Sequence, residues 1–161
     1  EIDIPIIGVV KPGAKSAVES TKNKRIGIIG TEGTIKSELY TQYIHSIDPE
    51  ITVVGKACPL FVPLVEEGML HDSVTDEVAS RYLESMKEEN IDSLILGCTH
   101  YPLLRSTVGK IMGPEVNLVN PAYETAISLD GLLRQNGIRA DKDAKPEYEF
   151  YRNHIQNSHP G

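Results

Sequence analysis

Four short apolar segments constrain the fold of this chain more than any other feature. They are rich in Ile, Val and Leu, and their apolar residues do not alternate with polar ones. They cover residues 25–30, 51–57, 93–97 and 116–120. Segments of this kind are typical of strands that are buried on both faces, as in a parallel sheet. We therefore predict four parallel strands.

The segments between these strands have the periodicity of amphipathic helices. We predict helices at residues 35–47, 73–89, 101–112 and 123–136. In the second of these, apolar side chains recur every three or four residues and form one stripe: Val78, Ala79, Tyr82, Leu83 and Met86. Strands that alternate with helices predict an α/β fold in which helices flank a parallel sheet, with right-handed crossovers.

The two ends of the chain do not follow this alternation. Residues 4–10 are apolar and predict a further strand, which Pro12 and Gly13 then turn into the next element. Residues 140–161 are polar and show no periodicity, so we predict a disordered tail.

Composition excludes several classes of protein. The 161 residues fit one domain, or one large domain with part of a second. The net charge of -7 argues against nucleic-acid binding, which depends on clustered Lys and Arg. No segment approaches the roughly 20 apolar residues of a membrane span. The two cysteines, Cys58 and Cys98, lie far apart in sequence and predict free thiols in a reducing cytoplasm.

The residues that follow each strand are the first candidates for a site, because ligands of open α/β sheets bind at the carboxyl ends of the strands. After the first strand, Thr31, Gly33 and Thr34 offer hydroxyl and N–H groups to an anion. The glycines do not have the dinucleotide-binding spacing. The alternative is a glycine-containing turn in which Thr34 caps the next helix.

The segment after the second strand contains Cys58, Glu66 and Glu67. Cys58 stands among apolar residues, which favours a buried packing role over a reactive thiol. Glu66 and Glu67 precede a glycine, and a solvated helix end is the default interpretation. A carboxylate that belongs to a site is the alternative.

After the third strand, Cys98 stands at a junction between strand and helix, with His100 two residues later. Amide groups at a helix N-terminus favour the thiolate form, which can act as a base or a nucleophile. A buried cysteine beside an incidental surface histidine is one alternative. A metal site is another, but the chain lacks the Cys-x-x-Cys spacing and the paired histidines that zinc usually requires.

Residues 94–104, Leu-Ile-Leu-Gly-Cys-Thr-His-Tyr-Pro-Leu-Leu, resemble the second cysteine signature of the aspartate/glutamate racemase superfamily. The Cys-Thr-His-Tyr-Pro-Leu-Leu part has the form found in its glutamate-specific members. Residues 4–14, 30–37 and 57–66 agree with the superfamily in order and spacing, and the resemblance extends over about residues 4–150.

The resemblance implies an amino-acid racemase that needs neither a cofactor nor a metal. Two cysteines flank the α-carbon of glutamate, and one removes a proton while the other returns one on the opposite face. By correspondence with the family, the catalytic residues are Cys98, His100 and Glu66, and the substrate-binding residues are Thr31, Thr34 and Thr99. Cys58 lies outside the catalytic pair.

The sequence also departs from the family pattern. The segment that carries the first catalytic cysteine is absent, and residues 152–161 do not align. The resemblance therefore implies that residues 11–119 form the complete second domain of a two-domain fold, whereas residues 1–10 and 120–161 are pieces of the other. The tail at 152–161 is expected to be disordered or non-native. We expect this chain alone to racemise glutamate poorly or not at all.

The resemblance further implies a homodimer for the full-length protein, located in a bacterial cytoplasm, that supplies D-glutamate for peptidoglycan. Two alternatives stay open at this point. One is a related enzyme, such as an aspartate racemase or an arylmalonate decarboxylase. The other is a non-catalytic module that binds anions.

Overall fold

A computed structural model describes residues 3–135 of the chain, with side chains described for residues 8–134. The chain divides into two compact units, residues 1–127 and residues 128–161. The first unit contains a sheet of four strands: β1 (Arg25–Gly30), β2 (Thr52–Ala57), β3 (Ser93–Leu96) and β4 (Asn117–Val119). All the pairings are parallel, and the strand order is β2-β1-β3-β4. The predicted α/β fold with a parallel sheet is confirmed.

Seven α-helices and one short 3-10 helix connect and extend these strands within the described residues. The α-helices are α1 (Asp3–Ser20), α2 (Glu32–Ser37), α3 (Leu39–Ile47), α4 (Phe61–Glu66), α5 (Ser73–Glu88), α6 (Arg105–Met112) and α7 (Pro121–Gln135). The 3-10 helix, Tyr101–Leu104, directly precedes α6. In the second unit, the structure describes only the end of α7, where Arg134 Nε lies 3.1 Å from Asp130 Oδ2. No helix among residues 3–135 is long and apolar enough to span a membrane.

Helices cover both faces of the sheet. Consecutive residues of a strand point to opposite faces, so neighbouring residues of β1 pack against different helices. On one face, Ile26 and Ile28 of β1 pack with Ala14 and Ala17 of α1 and with Ile44 of α3. On the other face, Ile29 belongs to a second cluster, to which helices α4, α5 and α6 contribute Phe61, Leu83, Met86 and Val108. The protein core is therefore two apolar layers that share one sheet.

Burial on both faces, predicted for all four strands, is found in the two central ones. Every residue of β3 is buried, and so is every residue of β1 after Arg25. Strands β2 and β4 lie at the edges of the sheet and are partly exposed. Edge position, which apolar composition alone does not reveal, accounts for this difference.

The strand predicted at residues 4–10 is wrong, because these residues belong to α1. The buried side chains Val10, Ala14 and Ala17 follow the helical spacing of four and three residues. Pro12 lies inside this helix, where it removes one backbone hydrogen bond at a cost of about 3 kcal/mol. Burial of the apolar face of α1 against the sheet offsets that cost.

The helix predicted at residues 35–47 is two helices, α2 and α3. Glu38 separates them with a left-handed backbone (φ 54°, ψ 22°), and its N–H donates to Ile35 O. The helix predicted from residue 101 begins instead with the 3-10 turn, in which Pro102 occupies an early position. The last residue of the predicted helix 123–136 and the whole tail 140–161 lie outside the described residues.

The loops at the amino ends of the strands are tied together by Asp92, which directly precedes β3. Its carboxylate accepts hydrogen bonds from Thr21 Oγ1, from Lys22 N at 2.7 Å and from Asn23 N at 3.0 Å. Partial burial acts to raise the pKa of Asp92, but these hydrogen bonds outweigh it and hold the pKa below its usual range. One carboxylate thus joins the loop before β1 to the loop before β3.

We expect Asp92→Asn to lower the free energy of unfolding by about 2 kcal/mol at neutral pH, because charge-assisted hydrogen bonds become neutral or are lost. A depressed pKa stabilises the fold above the pKa of the unfolded state, and this contribution disappears as the pH falls further. The difference between the two proteins should therefore shrink below about pH 4. Urea unfolding at pH 7 and pH 3 measures it, and a difference that is independent of pH would contradict this assignment.

Candidate active site

The candidate site is a cavity of about 350 Å³ at the carboxyl ends of the strands. The chain places β2 on one side of β1 and then β3 on the other, so the direction of strand order reverses between β1 and β3. Open α/β sheets bind ligands at such a reversal, where the loops on either side diverge. Thr31 follows β1 and Cys98 follows β3 by two residues, and both line this cavity.

The loop after β1 presents two threonines to the cavity. Thr31 Oγ1 accepts the Thr34 N–H at 3.3 Å and lies 3.1 Å from Thr34 Oγ1. Thr31 is therefore the N-cap of α2, so the alternative in which Thr34 caps this helix is wrong. Thr34 is buried and faces the cavity from the first turn of this helix. The cap holds both hydroxyl groups at fixed positions.

Gly97 brings the thiol close to the sheet. Its N–H donates to Ile29 O at 2.8 Å, and a Cβ at this position would lie only 2.7 Å from the same oxygen. A side chain would therefore force β1 and β3 apart. Cys98 follows directly, is partly exposed and lines the cavity.

Cys98, His100 and Glu66 form a contact series beside the cavity. Cys98 Sγ lies 3.9 Å from His100 Nδ1, and His100 Nε2 lies 3.6 Å from Glu66 Oε2. A neutral imidazole that accepts the thiol proton at Nδ1 would become a cation, which the carboxylate then stabilises. His100 and Glu66 do not line the cavity itself. The thiol is therefore the only one of the three that borders it.

We predicted that Cys98 stands where a helix begins, but α6 begins only at Arg105. A turn and the short 3-10 helix follow Cys98, and Cys98 O accepts the Tyr101 N–H at 3.1 Å. Within residues 3–135, neither the N–H of Cys98 nor that of Thr99 donates to a backbone carbonyl group. These two N–H groups are available to a ligand beside the thiol. Thr99 is exposed and lines the cavity.

Cys58 lies away from the cavity, whereas Cys98 is partly exposed and lines it. Cys58 is fully buried in the apolar cluster with Phe61, and burial raises the pKa of its thiol to about 12. Its side chain therefore remains protonated at neutral pH. Its backbone has a structural function, since Cys58 N donates to Gly30 O and Cys58 O accepts the Tyr101 hydroxyl at 3.0 Å.

The cavity lining is uncharged and largely apolar, with neutral polar groups from the loops after β1 and β3. No Asp, Glu, Lys, Arg or His lines it within the described part of the chain. The neutral donors that it offers are the hydroxyls of Thr34 and Thr99 and the backbone N–H groups beside the thiol, because the Thr31 hydroxyl already donates to Thr34 Oγ1. Within the same residues, no three His, Cys, Asp or Glu side chains are close enough together to hold a metal ion.

Sequence reasoning did not identify Asn120, which follows β4 and also lines the cavity. Its side-chain Oδ1 accepts the Ala122 N–H at 3.1 Å and the Tyr123 N–H at 3.4 Å, so it caps α7. The rule that located Thr31 and Cys98 applies equally to the residue after the fourth strand. An Asn before a Pro-initiated helix is also a cap signal.

Comparison with known proteins gives consistent results. Residues 1–126 match the family Asp/Glu/Hydantoin racemase. The curated glutamate racemase of Geobacter metallireducens is 49% identical over 150 residues, which make up 93% of this chain and 56% of the relative. That of Oceanobacillus iheyensis is 45% identical over 94% of this chain and 56% of the relative. The chain thus spans a little over half the length of the curated relatives it matches.

Solved structures show the same architecture. A glutamate racemase isoform from Bacillus anthracis superposes with a TM-score of 0.79 at 41% identity, over 83% of this chain and 50% of that one. The glutamate racemase from Francisella tularensis, solved in complex with D-glutamate, has a TM-score of 0.76 at 33% identity. It covers 86% of this chain and 50% of its own.

Proposed function

The chain belongs to the Asp/Glu/hydantoin racemase family, and on that premise we propose that it forms one side of a glutamate racemase active site. The observation that carries the proposal is the position of Cys98, the one of the two cysteines that lines the cavity beside Thr31, Thr34 and Thr99. A thiol beside neutral hydroxyl and amide donors suits removal of an α-proton from an amino acid whose carboxylate is held in place.

In this proposal, Cys98 acts as the acid or base on one face of the α-carbon. His100 accepts or returns the thiol proton through Nδ1, and Glu66 stabilises the imidazolium that results. The hydroxyls of Thr34 and Thr99 and the N–H groups of Cys98 and Thr99 donate to the substrate carboxylate, while the Thr31 hydroxyl donates to Thr34 Oγ1 and positions that group in the substrate site. The carbanion develops next to that carboxylate, so fixed donors at this position lower the barrier.

Racemisation requires a second acid or base on the opposite face, and this chain offers no second thiol at the cavity, since Cys58 is buried elsewhere. The relatives are nearly twice as long as the matched region. We therefore propose that the second thiol comes from a part of the whole protein outside these 161 residues. The division into a domain at residues 11–119 and flanking pieces of another domain stays a prediction.

The whole protein would then interconvert L- and D-glutamate in a bacterial cytoplasm, as a homodimer, and supply D-glutamate for peptidoglycan. The relatives described above are bacterial glutamate racemases, and one of the similar structures contains D-glutamate, which supports this choice of substrate. No cofactor or metal enters the proposed reaction.

We expect the 161-residue chain to show no measurable racemisation of L- or D-glutamate, because only one of the two required bases borders its cavity. Chiral chromatography after prolonged incubation measures the product. The full-length protein that carries this segment serves as the control, and it should act on glutamate in preference to aspartate. Turnover by the short chain at the rate of the full-length protein would refute the two-thiol proposal. A preference for aspartate, or binding without turnover by the full-length protein, would refute glutamate racemisation.

A further inference from the structure

The contact between His100 and Glu66 joins two loops that are distant in sequence. His100 follows β3 within the Cys98 turn, whereas Glu66 is the last residue of α4, which follows β2. Their side chains are 35% and 61% exposed. An exposed ion pair contributes about 0–1 kcal/mol and is too weak to hold two loops in register. A buried contact between the segment after β2 and the segment after β3 must therefore hold the two loops together.

That contact is an aromatic cluster of Tyr101, Phe61 and Tyr82. Tyr101 directly follows His100, and Phe61 begins the short helix that Glu66 ends. Both are fully buried, and their rings pack edge to face with centroids 5.3 Å apart. Tyr82 of α5 also packs against Phe61, with ring centroids 5.2 Å apart in the same edge-to-face geometry. Pairs of this geometry contribute about 0.5–1.5 kcal/mol beyond the area that they bury.

A hydrogen bond from the Tyr101 hydroxyl fixes the orientation of its ring in this cluster. The Tyr101 hydroxyl donates to Cys58 O at 3.0 Å, and the same oxygen accepts the Phe61 N–H at 3.1 Å. One carbonyl group thus receives a donor from each loop. Since Tyr101 N also donates to Cys98 O, the side chain and the backbone of Tyr101 are both fixed next to His100.

We propose that Tyr101 is a positioning residue for the series Cys98, His100 and Glu66. It anchors His100 against Glu66 and thereby keeps the His100 Nδ1 turned toward the Cys98 thiol. A role in catalysis depends on the proposed function, whereas the contacts of Tyr101 and the orientation of His100 can be tested in this chain alone. In the anchored arrangement, the proton on Sγ moves to Nδ1, and a thiolate and an imidazolium form with Nε2–H facing the carboxylate.

The test uses Tyr101→Phe in the 161-residue chain, which removes the hydroxyl and keeps the ring. Tyr82→Phe is the matched control, because Tyr82 also bonds its hydroxyl to the backbone of this segment, where it accepts the Leu60 N–H at 2.9 Å. We measure the rate at which iodoacetamide alkylates Cys98 at pH 7, by mass spectrometry of the Cys98 peptide. The ¹⁵N shifts of the His100 imidazole report which nitrogen carries the proton.

We expect Tyr101→Phe to slow alkylation roughly fivefold, the change that corresponds to one lost hydrogen bond, and to shift the imidazole signals toward a mixture of tautomers. Tyr82→Phe should leave both readouts unchanged. Glu66→Gln should reproduce the effect of Tyr101→Phe, and the double variant should be no slower than Glu66→Gln alone, because Tyr101 acts through that carboxylate.

Equal effects of the two tyrosine variants, unchanged readouts in Tyr101→Phe, or additive effects in the double variant would each overturn the proposal. If Tyr101→Phe does not fold, Phe61→Leu loosens the same contact from the α4 side and must slow alkylation in the same way, or the proposal fails. None of these measurements needs racemase turnover. Failure of the glutamate proposal would therefore leave them interpretable.

Discussion

Cys98→Ala in the full-length protein is expected to lower kcat for glutamate racemisation by roughly 10²–10⁴-fold, the range for loss of a positioned acid or base. The cause is specific, since the thiol is the group of the Cys98–His100–Glu66 series that borders the cavity. Because Cys98 is only partly buried, its truncation should leave the thermal unfolding midpoint nearly unchanged. Kinetics in both directions and a thermal scan measure the two effects.

Cys58→Ala is the matched control, because it removes the same atom from the other cysteine. Here the thiol is fully buried among apolar side chains, so its loss leaves a small cavity and costs about 1 kcal/mol of unfolding free energy. The backbone bonds of residue 58 to Gly30 and Tyr101 remain, and racemisation should continue near the normal rate. An inactive Cys58→Ala protein beside an active Cys98→Ala protein would reverse the assignment.

The second large effect is expected for Gly97→Ala, which should lower the free energy of unfolding by about 3 kcal/mol. The new Cβ would lie 2.7 Å from Ile29 O, a backbone atom in the centre of the sheet that cannot rotate away. The strands must separate, and the hydrogen bond from Gly97 N to the same oxygen is then strained or lost. Denaturant unfolding of the 161-residue chain measures the cost.

Gly33→Ala provides the comparison at another residue near the cavity. Nothing lies within 4 Å of a Cβ at this position, and Gly33 is inside α2. Alanine should therefore stabilise the chain by about 0.5–1 kcal/mol. If Gly97→Ala and Gly33→Ala destabilised the chain equally, the contact with Ile29 O would not be the cause of the Gly97→Ala effect.

The sheet could be predicted because its signal is local. Residues 25–30 coincide with β1, since the three isoleucines at positions 26, 28 and 29 favour a strand without tertiary information. Residues 4–10 show where this reasoning fails. An apolar run before Pro12 and Gly13 resembles a strand and a turn, and only the packing of Val10, Ala14 and Ala17 on the sheet reveals the helix. Tertiary burial here overrides the local preference against proline.

Part of the candidate site could also be predicted from the sequence, and part could not. Thr31, Thr34 and Cys98 could be predicted because each comes soon after a predicted strand, and Thr99 was predicted from the resemblance; all four do line one cavity. Their catalytic and binding roles stay predictions. The orientation of His100 depends on Tyr101, Phe61 and the carbonyl group of Cys58, and such a contact between distant segments leaves no periodic trace in a single sequence.

The network around Asp92 and the cavity beside Cys98 lie at opposite ends of the same strands. Strands of four to six residues separate them by about 13–20 Å. Substitutions that far apart contribute additively to stability. Stabilising substitutions in the loops around Asp92 should therefore offset the stability that is lost through substitutions in the loops bordering the cavity.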